Sequence, residues 1–203
     1  MYKARRNLIV IFLLMIAVVF CGCNNTKQNN RGQDKLHAML TTLKNYEADA
    51  EITFFRDAQT NIIKMKQTVE IGGKYKLTVE SPAYLKGYTT SFDGEAVFQY
   101  NPNTKVKAVC APNEARNQTL LSSFIHNYFN AEDVKKDKGT LEGKDVIIVE
   151  IDMPGDYKYM AREKIWFDQQ TLSPIKIEIV DFEENRAIQV AFSNFKPNTQ
   201  MKF

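Results

Sequence analysis

The chain has 203 residues, 44% of them hydrophobic, with 27 Lys and Arg against 24 Asp and Glu. That apolar fraction argues against disorder, and three Cys with two His argue against a disulfide scaffold and against a His/Cys zinc site. Lys3, Arg5 and Arg6 account for the whole net charge of +3, so the chain beyond residue 22 is formally neutral and the pI near 8.6 does not point to nucleic acid.

The chain opens with that basic head, and Leu8 to Phe20 form an unbroken apolar run. Thirteen residues make roughly 20 Å of helix, short of the ~30 Å hydrocarbon core, so the run reads as a secretory signal peptide rather than a membrane span. It ends in Cys21-Gly22-Cys23. A small residue before a cysteine resembles the bacterial lipobox, with Phe20 departing from the usual Leu. That resemblance implies cleavage before Cys23 and lipidation of its thiol. Each buried methylene contributes ~0.8 kcal/mol, so two or more acyl chains give a stable anchor. Residues 24–33 are Asn- and Gln-rich and read as a tether with a mean span of ~17 Å. The expected organisation is a signal peptide over 1–22, the lipidated cysteine and tether over 23–33, and one domain over 34–203. After processing, Cys110 is the domain's free thiol and reads as a half-buried strand residue.

Asp34 can cap a short helix in which Leu36, Met39, Leu40 and Leu43 form one stripe, with His37 at its edge. From Tyr46 the period changes to two, with Ala48, Ala50, Ile52 and Phe54 on one face of a long strand. Further strands are expected over Ile62–Ile71, Lys74–Glu80, Tyr88–Phe92, Glu95–Tyr100 and Lys105–Cys110. Gly72-Gly73, Ser81-Pro82, Asp93-Gly94 and Asn101-Pro102 punctuate them. Residues 116–130 read as an amphipathic helix, with Leu120, Leu121, Phe124, Ile125, Tyr128 and Phe129 covering half of it. Ser122, Ser123, His126, Asn127 and Asn130 take the other half. Strands resume over Asp145–Ile151, Arg162–Asp168, Ile175–Val180 and Ala187–Phe195. Two short helices and about ten antiparallel strands predict a mainly β domain, a curved sheet with helices on its concave side.

The order of these elements resembles the LolA/LolB-like lipoprotein family. The residues that carry the resemblance are Asn45-Tyr46-Glu47-Ala48 entering the long strand, Glu80-Ser81-Pro82, Phe92-Asp93-Gly94 and Phe98-Gln99-Tyr100-Asn101-Pro102. In the second half they are Ile165-Trp166-Phe167-Asp168, Thr171, Ser173-Pro174-Ile175 and the closing strand 192–198. The resemblance implies an unclosed antiparallel β-barrel with helices packed on its concave face, in a carrier, receptor or sensor rather than an enzyme. The lipobox and the excess of Lys over Arg resemble the clostridial spore germination lipoproteins (GerS-like). That implies a Gram-positive, extracytoplasmic, membrane-anchored protein that binds and activates a cortex-modifying N-acetylmuramoyl-L-alanine amidase. The periplasmic carriers hold a helical lid with an early-strand arginine. Here there is no Arg between Arg56 and Arg116, so a transport cycle does not follow.

No catalytic constellation or cofactor site is legible. His126 shares a helix face with Ser122 and Ser123, but no Gly-x-Ser-x-Gly elbow accompanies them. No metal motif or phosphate loop is present. Tyr84, Tyr88, Tyr157, Tyr159 and Met160 sit near connections and are the candidate partner-contact residues. The other readings are a lipid or lipoprotein carrier with an open apolar cavity, and an envelope-stress sensor. An unclosed barrel also leaves a sheet edge through which two copies can pair.

Overall fold

A computed structural model describes residues 35–56, 59–112, 117–155 and 157–201. The first described helix, α1 (35–42), buries Leu36 and Leu40 and leaves His37 and Ala38 exposed, and Leu43 is buried just beyond it. Strands β1 (Asn45–Arg56), β2 (Gln59–Glu70), β3 (Tyr75–Ser81), β4 (Thr89–Phe92), β5 (Val97–Asn101) and β6 (Val106–Cys110) follow as an antiparallel meander. Helix α2 (Leu121–Asn130) then leads into β7 (Val134–Leu141), β8 (Lys144–Asp152), β9 (Arg162–Asp168), β10 (Pro174–Val180) and β11 (Arg186–Pro197). All these strands form one sheet in the order β6-β5-β4-β3-β2-β1-β11-β10-β9-β8-β7. The two meanders are joined where β1 pairs with β11, so the ends of the domain meet at mid-sheet and β6 and β7 are left as edges. The fold is the unclosed LolA/LolB-like half-barrel.

Alternation sorts the two faces. In β1, Tyr46, Ala48, Ala50 and Ile52 are buried while Glu47, Asp49 and Glu51 between them are not, the period-2 pattern of a strand with one covered face. The concave face continues through Ile147, Val149, Ile151, Ile165, Phe167, Ile177, Ile179 and Val190, all essentially inaccessible. Phe124 of α2 is fully buried and lies 6.1 Å from the Phe167 ring. Burial of each such side chain stabilises by ~1.5–3 kcal/mol, which is what holds two short helices that would not persist alone. Three connections are closed by the same device: Asp93, Asp168 and Asp181 each turn a carboxylate oxygen back onto two N–H groups further along the loop. Those backbone hydrogen bonds hold the Asp93 and Asp168 carboxyls below the usual range.

Several expectations need correction. Among the described residues the sheet has eleven strands, and the additional one is β7. Its sequence, Val134–Leu141, carries three lysines and a glycine, so neither period nor propensity marks it. It forms because it is an edge strand with one neighbour, β8, and charge on an edge is compatible with that position. The second helix is regular only from Leu121, and Leu120 is its extended N-cap. The Asp93-Gly94 hairpin is looser than a two-residue turn. Phe92 pairs with Val97, so four residues form the loop and β5 begins at Val97, not Glu95. Trp166 is buried, but on the convex face, outside the main core. There Lys176 Nζ sits 4.0 Å from its ring centroid and Lys164 Nζ 5.6 Å.

Candidate functional site

Helix α2 is the element that fills the concavity, and buried polar groups fix its seat. Tyr46 of β1 donates its hydroxyl proton to Gln67 Oε1 of β2 at 3.0 Å, and the Tyr46 hydroxyl oxygen accepts the Leu121 N–H at 3.2 Å. Gln67 Nε2 in turn donates to the Thr119 carbonyl at 3.3 Å. A free N–H at the start of α2 is thereby satisfied from the sheet, which the apolar Leu120 cap cannot do. Burial pushes the Tyr46 phenol well above its ordinary range, so the hydroxyl stays protonated.

The far end of α2 is held twice more. The Tyr128 hydroxyl accepts from Lys136 Nζ at 2.7 Å and lies 3.0 Å from His37 Nδ1 of α1. The Tyr128 hydroxyl thus bridges Lys136 and His37 and ties the two helices together. Phe129 meets the His37 ring edge-on at 5.5 Å. Asn127 Nδ2 donates at 3.2 Å to Glu163 Oε2 of β9. Glu163 is fully buried, lies between Ile151 and Ile179 across the two neighbouring strands, and has no partner for Oε1 among the described residues. Burial pushes its carboxyl up to about 8, and the Asn127 amide offsets only part of that.

Along the outer, polar side of α2 run two grooves. The larger, about 550 Å³, lies between α2, the β2–β3 turn and the 153–161 connection. Its floor holds the Tyr75 and Phe92 rings, 5.6 Å apart, and Tyr157 lines it from the 153–161 connection. Gln118, Ser122, Ser123, His126 and Asn127 supply polar groups along it. The second, about 460 Å³, continues past His126 toward Glu132, Asp133 and Asp152. The convex face carries a charge network instead. Glu150 meets Lys135 at 3.4 Å, Lys164 at 3.4 Å and Arg162 at 3.6 Å, and Arg162 also pairs with Glu184. Partial burial would raise the Glu150 carboxyl, but Lys135 and Lys164 outweigh it and hold it below the usual range.

A family model described as "Sporulation protein YdcC-like" matches residues 3–202. The chain belongs to this YdcC-like family. No curated protein matches at significance. Among solved structures, a chain in the structure of the CwlD amidase from Clostridioides difficile in complex with the GerS lipoprotein is similar. It has 22% identity and a TM-score of 0.52, with 86% of this chain and 97% of that one covered. An uncharacterized conserved protein from Thermus thermophilus is similar at 9% identity and TM-score 0.54, over 86% and 90% of the two chains. The Mycobacterium tuberculosis lipoprotein LppX is similar at 10% identity and TM-score 0.50, over 85% and 96%. These likenesses establish the fold.

In this YdcC-like protein the expected contact residues fall into two separate groups. Tyr84 is strongly exposed on a short 3-10 segment, Ala83–Leu85, and Tyr88 is half-buried beside it. Tyr157 and Tyr159 are exposed, while Met160 tucks partly against the core. Tyr157 lies at the Tyr75–Phe92 end of the β3–β4 pair, and Tyr84 and Tyr88 lie beyond its opposite end, a β3 length of about 20 Å away. Cys23 lies outside the described residues. Ser122, Ser123 and His126 do share the larger groove, but neither serine bonds to His126 among the described residues. Its Nε2 instead lies 3.5 Å from the Asn130 amide. Sequence reasoning missed three features. Asn127 belongs to the polar half of the wheel yet is buried on Glu163, and Glu163 reads as the charged member of an alternating strand. The β6 edge is the third: four of its five residues are exposed, Val106 and Val109 at 57% and 68%.

Proposed function

We propose that this protein is a lipid-anchored, extracytoplasmic, non-enzymatic binding protein of sporulation, which engages a cell-wall N-acetylmuramoyl-L-alanine amidase through its outer surface. The observation that carries the reading is the filled concave face. Phe124 and Leu121 are inaccessible, and α2 is pinned through Tyr46, so the helix behaves as part of the core and not as a lid over a ligand. A carrier of acyl chains needs an apolar cavity. The grooves beside α2 instead mix amides, hydroxyls and carboxylates with a few aromatic and apolar side chains. Membership of a sporulation family, and a fold shared with a structure that pairs an amidase with a lipoprotein, support a partner of that kind.

The β6 edge is the contact surface we favour. The opposite edge, β7, is guarded by Lys135, Lys136 and Lys138, whereas β6 offers unpaired backbone beside exposed Val106 and Val109 and has one lysine within it, Lys107. An extended segment of the partner can add to it as a further strand. The exposed Tyr84 and Tyr159 are the secondary candidates. The test is to mix the purified chain with the sporulation amidase of the same organism and measure complex formation and muropeptide release. Release is expected only from the mixture, and Ala108→Pro, which distorts the edge strand, is expected to weaken the complex at least tenfold. Failure to form a complex at micromolar concentrations, with stoichiometric lipid in the purified chain, would replace the partner reading with the carrier one.

A further inference from the structure

The groove of about 550 Å³ beside α2 is not used by the partner reading, and its lining has a chemistry of its own. Its size is that of a small-molecule site. Apolar and polar groups both line it. Phe92, packed 5.6 Å from Tyr75, and Tyr157 supply the rings. Gly155, at φ +93°, lies under the Tyr157 ring, and a Cβ there would come within 2.9 Å of it, so the backbone itself supports the ring's position at the groove. α2 and the turn before it contribute the Ser122 and Ser123 hydroxyls and the Gln118 amide. Among the described residues Gln118 Oε1 is buried without a hydrogen-bond partner, an acceptor that a ligand donor would satisfy.

Charge narrows the ligand. Among the described residues that line the groove there is no Lys or Arg, and the acidic one, Glu70, is engaged by the Lys74 N–H of its own turn. Among these residues a phosphate or carboxylate ligand would meet the His126 ring but no Lys or Arg, and an acyl chain would be set against uncompensated amides and hydroxyls. What fits is a neutral molecule that is polar at its edges and apolar on its faces. Pyranose rings have that character: their C–H faces stack on aromatic rings and their hydroxyls pair with serines and amides. The amide-rich wall adds partners for an acetamido group, which carries one N–H donor and one carbonyl acceptor. We propose that this groove is a binding site for a neutral N-acetylated amino-sugar oligosaccharide, with Tyr157 and Phe92 as the stacking platforms and Gln118, Ser122 and Ser123 as the polar contacts. This site stands independently of any amidase partner.

The experiment is calorimetric titration of the full chain in detergent with the tetramer of N-acetylglucosamine, with cellotetraose and a blocked neutral tetrapeptide as comparison probes. Saturable binding of the amino-sugar tetramer is expected, with cellotetraose at least tenfold weaker. Tyr157→Ala, at a side chain 45% exposed and so tolerable to the fold, is expected to weaken it at least tenfold. Phe182→Ala, at a still more exposed aromatic outside the groove, is expected to leave it unchanged. Ser123→Leu, which fills the groove from α2, is a second variant with the same expected loss. The proposal is overturned if the amino-sugar tetramer does not bind at millimolar concentration, if cellotetraose or the tetrapeptide binds as well, or if Tyr157→Ala and Ser123→Leu both bind like the unaltered chain.

Discussion

Replacing Glu163 by Gln tests how tightly α2 is seated. The carboxyl is wholly buried, flanked by Ile151 and Ile179, and touches one polar group, the Asn127 amide. Burial raises it from 4.5 to about 8 in the folded chain. The folded state therefore binds this proton more tightly than the unfolded one, so the stabilising contribution is fully present below the unfolded value. It is lost as pH rises through the window between about 4.5 and 8. At about 1.4 kcal/mol per unit the full loss is on the order of 4–5 kcal/mol, of which about 3 kcal/mol falls between roughly pH 5.5 and 8.5. Glutamine keeps the shape and still accepts from Asn127, but it cannot ionise. Urea unfolding of both proteins at three pH values across that window gives the difference directly. The variant's stability relative to the unaltered chain is expected to rise by about 3 kcal/mol from the acid to the alkaline end. A difference that stays constant with pH, whatever its size, would refute the buried neutral carboxyl and with it the close seating of α2 on β9.

Two further outcomes follow from the same structure and one from the sequence. Tyr46→Phe strands Gln67 Oε1 and the Leu121 N–H in the core, so chemical denaturation should show a loss of about 1–3 kcal/mol, accompanied by faster amide exchange at the start of α2. Trp166→Ala should cost about 3 kcal/mol, the low end for a buried tryptophan, because its cover is lysine chains on the convex face rather than core; a loss below about 1 kcal/mol would mark the ring as a surface contact. Cys23→Ala should abolish fatty-acid labelling and move the protein out of the membrane fraction, and labelling that persists would place the anchor elsewhere.

Much of the half-barrel was legible because its strands have one covered face. In sequence Tyr46 to Phe54 and Lys74 to Glu80 alternate apolar with polar, burial follows that alternation in β1 through Ile52, and the Leu stripe of α1 is unambiguous. What escaped has a common cause: periodicity reports the sides of an element, not its neighbours. β7 has a single neighbour and no apolar face worth the name, so its lysines read as loop. Asn127 and Glu163 are polar residues that face each other across an interface between helix and sheet, and a residue's polarity alone places it outside. Trp166 signals burial correctly but not which face, because an aromatic on the convex side can be covered by the stems of Lys164 and Lys176. The aromatic groove is assembled from β3, β4, the turn before α2 and the 153–161 connection, segments far apart in the chain, so no spacing rule could bring Tyr75, Gln118 and Tyr157 together.

The central claim is that the interior stays packed and partners bind outside it. Hydrogen–deuterium exchange of the chain alone and with the amidase tests this most directly. The amides of α2, Leu121–Asn130, should stay protected in both states, while protection of β6, Val106–Cys110, should increase on complex formation. Loss of protection in α2 on binding, with β6 unchanged, would mean that the helix opens as a lid and that the concave face, not the edge, is the working surface.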